Sequence, residues 1–152
     1  MVVADVMDTS FAEIPLTATF QRAAELFVET QTSDLVVVDD GRYAGILSEG
    51  DLLRALLPDF EESTATLAAI SMDEAQNRFL DSGPFNRERT IGSLVLTQPV
   101  SLSPRDPLLI AATVMASEHI RRLPVIEDGH VIGMLSRAKL SWALLSRPEP
   151  SP

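Results

Sequence analysis

The sequence predicts an α+β protein made of two copies of one β-α-β-β-α unit, packed about a pseudo-twofold axis with a helical insert between them. Three observations predict it. Residues 20–57 match residues 108–145 without a gap at an offset of 88, with 13 of 38 positions identical. Each copy runs from a helix-period apolar stripe into a short β-branched run, an Asp-Gly turn and a return run. Each copy then passes from a glycine-containing strand through a serine into a second helix-period stretch.

The first copy opens with an extended piece around Ile14-Pro15-Leu16. Thr19 is placed to cap a helix whose Phe20, Ala23, Ala24 and Phe27 share one face. Leu35-Val36-Val37-Val38 reads as a buried strand. Asp39-Asp40-Gly41 supplies a hairpin turn, with glycine where positive φ is needed. Tyr43-Ala44-Gly45-Ile46-Leu47 returns, and a helix follows over 49–57. The second copy repeats the order. Val100-Ser101-Leu102 is extended, Asp106 stands as N-cap, and Pro107 takes the first helical position. Leu108, Ala111, Ala112 and Met115 form the apolar face. Leu123-Pro124-Val125-Ile126, Glu127-Asp128-Gly129 and Val131-Ile132-Gly133-Met134-Leu135 form the hairpin, and a helix spans 137–145.

The units are therefore 1–57 and 91–146. Neither buries its apolar faces alone, so the two are expected to fold as one body. Between them, 58–90 is too apolar for a free linker. Ser71-Met72-Asp73-Glu74 is a capping-box pattern, Ala75, Phe79 and Leu80 follow at helical spacing, and Gly83-Pro84 is a stop. The tail 147–152 is rich in Pro and Ser and is expected to fray.

Composition excludes several functions. With 22 acidic against 12 basic residues the net charge is −10, which disfavours nucleic-acid binding. No cysteine is present, so disulfides, thiol catalysis and cysteine-ligated zinc are excluded. No secretory signal or membrane-spanning run appears, and a cytoplasmic protein is expected. His119 and His130 stand eleven residues apart with no third ligand, so no metal site is expected. No Walker loop or Gly-x-Ser-x-Gly is present, and the chain is read as a non-enzyme.

One motif carries a chemistry of its own. Gly45-Ile46-Leu47-Ser48-Glu49-Gly50-Asp51 is repeated as Gly133-Met134-Leu135-Ser136-Arg137-Ala138-Lys139. A strand glycine admits a close backbone or a flat ligand. A serine at a helix start suits an anion such as phosphate. Asp51, one turn on, is able to accept hydrogen bonds from both hydroxyls of a ribose. Each residue also has a plainer reading: Ser48 and Ser136 as N-caps, and Asp51 as a first-turn carboxylate favoured by the helix dipole.

The doubled unit with this ending resembles a tandem pair of CBS domains, the Bateman module, and Ile120 to Gly133 is similar to the family's most recognisable stretch. The resemblance implies a regulatory, non-catalytic module without an obligatory cofactor. It implies a cleft for an adenosine compound such as AMP, ADP, ATP, S-adenosylmethionine or an NAD-type molecule. It also implies a homodimer and an effector protein to which the module signals. Carried over position by position, Ser48 matches the phosphate contact and Asp51 the ribose acid. Ser136 matches too, but Lys139 replaces the second acid and is able to bind only phosphate. Arg121 and Arg122 match phosphate-facing positions, whereas their counterparts Ser33 and Asp34 do not. Ile14 and Leu102 fall on the adenine-contacting strand. One competent site is expected, with Ser48 and Asp51 facing Arg121 or Arg122 across the cleft. The rival reading is a ligand-free interaction scaffold with a degenerate site.

Overall fold

The computed structural model describes residues 1–56, 73–74, 88–95, 100–118 and 120–146. Of the helix expected after Ser71, Asp73 and Glu74 are described and helical; the rest of it, its stop at Gly83-Pro84, the tail 147–152 and His119 lie outside the described residues. The first repeat contains β1 (Glu13–Pro15), α1 (Phe20–Thr30), β2 (Asp34–Asp39), β3 (Arg42–Ser48) and α2 (Glu49–Leu56). The second contains α3 (Leu108–Ser117), β4 (Arg122–Glu127), β5 (His130–Ser136) and α4 (Arg137–Leu145).

In the first sheet β1 runs parallel to β2, and β2 pairs antiparallel with β3. The second sheet is the hairpin β4-β5. The strand expected around Leu102 is reduced there to one parallel bridge, in which Leu102 donates to Pro124 O at 2.9 Å and accepts from Ile126 N at 2.8 Å. Pro124 offers no N–H at that step, which leaves the ladder short. Both hairpins turn on Asp-Gly. Asp40 and Asp128 have φ of 50° and 51°, and Gly41 and Gly129 have φ of 79° and 80°. Positive φ at both central positions is the type I′ pattern that suits strand twist.

Thr19 caps α1, its Oγ1 accepting from Arg22 N at 3.2 Å. Phe20, Ala23 and Phe27 are buried, but Ala24 is exposed, because only the i, i+3, i+7 line of α1 meets the sheet. The cap of α3 also differs from expectation. Pro107, not Asp106, is the N-cap, and the Asp106 carboxylate instead accepts from Ser103 N at 2.8 Å. The acid is occupied by the preceding turn and leaves no side chain for the helix start.

Each repeat closes its core with a segment from the other end of the fold. Val3 and Val6 belong to the second core, with Leu102, Leu108, Leu123 and Leu135. Ile91 belongs to the first core, with Ile14, Phe20, Leu35 and Leu47. Val3 N donates to Asp106 O and Ile91 N to Ala18 O, at 2.9 and 3.0 Å. Val3 and Ile91 are 0% exposed and stand 88 residues apart, the offset of the repeat. The exchange ties the halves together more firmly than surface contact alone would.

The hairpin turns also meet. Tyr43 N donates to Gly129 O at 2.9 Å, and His130 Nδ1 donates to Gly41 O, also at 2.9 Å. The equivalent turns therefore face each other across a pseudo-twofold axis, and that symmetry sets the site.

Candidate functional site

A cleft of about 680 Å³ opens where the repeats meet. From the first repeat it is lined by Ser33, Asp34, Ile46, Ser48, Glu49, Gly50, Asp51 and Arg54. From the second it takes Ile120, Arg121 and Arg122. That volume lies in the range of small-molecule sites.

The first wall is the start of α2. Asp51 N donates to Ser48 Oγ at 3.0 Å, and Ser48 N donates to Asp51 Oδ2 at 3.2 Å. This reciprocal pair is a capping box with an aspartate as its acid. Arg54, one turn further, donates to Asp51 Oδ1 at 2.5 Å. Partial burial works against the Asp51 charge, but the hydrogen bonds from Ser48 and Arg54 outweigh it and hold the carboxyl below its ordinary value. Asp51 thus stays ionised. A carboxylate has about four lone-pair sites, so two protein donors leave it able to accept from a ligand. The plain capping role and an acceptor role are compatible.

The second wall arrives at the end of the 120–122 turn. Arg137 holds that turn in place, its N and Nε donating to Arg121 O at 2.9 Å and Ile120 O at 2.7 Å. Arg121 is exposed, and among the described residues no carboxylate pairs with it. Arg122 reaches across the axis and donates from Nη1 to Asp34 Oδ1 at 2.7 Å. Asp34 and Arg122 are 88 apart, so they are equivalent positions carrying opposite charge. Burial pushes the Asp34 carboxyl above its ordinary value, and the Arg122 guanidinium offsets only part of that. Asp34 is therefore a partner for Arg122, rather than only a repellent for anions.

The structure gathers Ser48, Asp51, Arg121 and Arg122 on one cleft and leaves the other candidates elsewhere. Ile14 is 0% exposed in the first core and is not in the cleft lining. Leu102 is likewise core. Ser136 Oγ accepts from Lys139 N at 3.2 Å and caps α4. Lys139 Nζ is bound to Asp8 Oδ1 of the N-terminal segment. That segment lies directly over the second motif. Asp8 N and O pair with Met134 O and N, each at 2.8 Å. A Cβ on Gly133 would stand 2.6 Å from Met7 Sδ and 2.9 Å from Asp8 O. The strand glycine there admits the chain's own backbone.

Sequence reasoning missed Arg54 and Glu49 in the wall. Arg54 follows Asp51 by three residues on one helix face, a spacing that was available as a signal. The Asp34–Arg122 pair was missed too, because only the packing of the two repeats sets these equivalent positions face to face.

Known proteins share this fold. The family model described as CBS domain matches residues 3–58 and 91–146. The chain is 30% identical over 137 residues to the chloroplastic CBS domain-containing protein CBSX2 of Arabidopsis thaliana, covering 81% of this chain and 54% of that protein. It is 25% identical over 143 residues to a homoserine O-acetyltransferase of Methanocorpusculum labreanum, covering 93% of this chain but 24% of the enzyme. The chain thus spans only part of these relatives. Among solved structures, CBSX2 in complex with AMP superposes with a TM-score of 0.69 at 25% identity, covering 95% of this chain and 96% of that one. The CBS domain pair of protein MJ0100, in complex with 5′-methylthioadenosine and S-adenosyl-L-methionine, shares the fold with a TM-score of 0.68 at 19% identity, covering 97% and 98%.

Proposed function

Since this chain belongs to the CBS-domain family and carries two copies of the domain, we propose that it is a regulatory, non-catalytic module that binds one adenosine-containing ligand between them. The observation that carries the reading is the shared cleft. It holds an ionised acid and a helix start from one repeat opposite Arg121 of the other, which has no carboxylate partner among the described residues. Asp51 accepts from the ribose hydroxyls. The α2 N-terminus and Arg121 take the phosphate. The AMP complex of CBSX2 supports the ligand class. The S-adenosylmethionine complex of MJ0100 is a fold-level parallel only. The second motif does not take a second ligand, because Met7 and Asp8 cover Gly133 and Asp8 holds Lys139.

A ligand that touches both repeats shifts their arrangement by its differential affinity for one geometry. That shift is what an effector protein reads. A homodimer through the outward helix faces belongs to the same reading. The outward face of α3 is largely apolar, with Leu109 69% and Ile110 51% exposed.

The test is a thermal-shift screen of the full chain with AMP, ADP, ATP and S-adenosylmethionine. A ligand that binds only the native state adds ~2.7 kcal/mol of stability at a hundredfold excess over Kd. One observation favours the scaffold reading instead: Asp34 already occupies Arg122, and Arg54 already occupies Asp51. Absence of any shift at millimolar ligand would decide for it.

A further inference from the structure

The cleft holds three acids, Asp34, Glu49 and Asp51, and three bases, Arg54, Arg121 and Arg122. Two bases are committed. Arg54 is paired with Asp51 at 2.5 Å and Arg122 with Asp34 at 2.7 Å. The Asp34–Arg122 pair is the better shielded, with side-chain exposures of 14% and 25%. Arg121 alone is left as an uncommitted cation among the described cleft residues.

We propose that Asp34 is a charge-selecting residue: by holding Arg122 it leaves the cleft one free cation, and so sets it for a nucleoside carrying a single phosphate over one carrying a di- or triphosphate. The inference rests on the nucleotide reading above and narrows it. A single phosphate is met by Arg121 and the α2 start. Each further phosphate adds negative charge beside Asp34 and Glu49, with no second free guanidinium to meet it. A polyphosphate would have to strip Arg122 from Asp34 and leave that partly buried carboxylate unpaired, which is costly.

The experiment is isothermal titration of AMP and of ATP, both free of magnesium, into the full chain, Asp34→Asn and the double variant Asp34→Asn/Arg122→Gln. The wild type is expected to prefer AMP. Asp34→Asn frees Arg122, and the ATP-to-AMP affinity ratio is expected to rise about tenfold, the scale of one charge-assisted hydrogen bond. The double variant restores the charge balance without the pair, and its ratio is expected to return toward wild type. If Asp34→Asn alone fails to fold, the wild-type preference between AMP and ATP still tests the inference. An unchanged ratio in Asp34→Asn, or a wild type that prefers ATP, overturns the inference while nucleotide binding stands. If the folded wild type binds neither nucleotide, the nucleotide reading fails and this inference fails with it.

Discussion

Asp51 and Lys139 occupy the same place in the two repeats, one turn into the second helix. In the first repeat Asp51 closes a capping box with Ser48 and faces the cleft. In the second repeat Lys139 is bound to Asp8, and the N-terminal segment lies over the motif. Duplication gave both repeats the same frame. Opposite charge at this equivalent position, with the N-terminal segment over one motif, leaves Asp51 facing the cleft and Lys139 tied to Asp8. Pseudo-symmetry makes such divergence visible, because each position of one repeat has an internal control 88 residues away in the other.

The exchanged core residues break or sharpen this comparison most strongly. Ile91→Ala is expected to destabilise the protein by about 2–5 kcal/mol, the range for a large-to-small change in a core. Val3→Ala should cost less, since valine loses fewer methyl groups. Urea denaturation measures both. Hydrogen exchange then locates the damage. Ile91→Ala should loosen β1–β3, although Ile91 belongs to the second repeat in sequence, and loosening of β4–β5 instead would break the exchange.

Next in size is Gly133→Ala. Its Cβ would press on the Asp8 carbonyl oxygen, a backbone atom with little room to yield. A loss of about 1–3 kcal/mol is expected from overpacking. The released N-terminal segment would appear as new proteolytic sensitivity near Asp8. A variant as stable and as resistant as wild type would show that the segment does not seal the second motif.

The two cleft acids should respond to pH with opposite sign. Asp51 has a folded pKa below its ordinary 3.8, so its stability contribution is present above 3.8 and is lost as pH falls through the folded value. Asp34 has a folded pKa above 3.8, so its contribution is present below 3.8 and is lost as pH rises through the folded value. In urea midpoints plotted against pH, Asp51→Asn should remove the acid-side loss. Asp34→Asn should remove the loss on the rising side. The same slope from both variants would contradict the environments described.

The smallest effect concerns the outer faces. α1 shows Gln21, Arg22, Glu25 and Glu29 to solvent, with Arg22 bridging to Glu25 at 3.4 Å and Glu29 at 3.5 Å. α3 shows Leu109 and Ile110. Leu109→Ser should change monomer stability by less than about 0.5 kcal/mol. Light scattering should nonetheless register a lower mass if the α3 face pairs two copies.

What the sequence made legible was local or repeated. The Asp-Gly turns declared themselves because positive φ at two adjacent residues narrows the choice of side chain. The repeat offset aligned the helices and hairpins, and the Ser48–Asp51 spacing pointed to one helical turn. Three things were not legible for physical reasons. Val3 and Ile91 stand in segments of a single 3-10 turn, too short for a pattern to report which core they enter. Asp106 has the composition of an N-cap, but its carboxylate is captured by Ser103 N. Asp34 read as an obstacle to anions because its partner is 88 residues away, and only the twofold packing brings Arg122 to it.

The most direct test of a single, first-motif site is isothermal titration of AMP into the full chain and Asp51→Ala, with stoichiometry and affinity read together. The account predicts one AMP per chain. It predicts binding about ten- to a hundredfold weaker in Asp51→Ala, the worth of hydrogen bonds to a charged acceptor, in a variant that keeps its fold after losing about 0.5–2 kcal/mol of cap stability. Two AMP per chain, or unchanged affinity in Asp51→Ala, would contradict it.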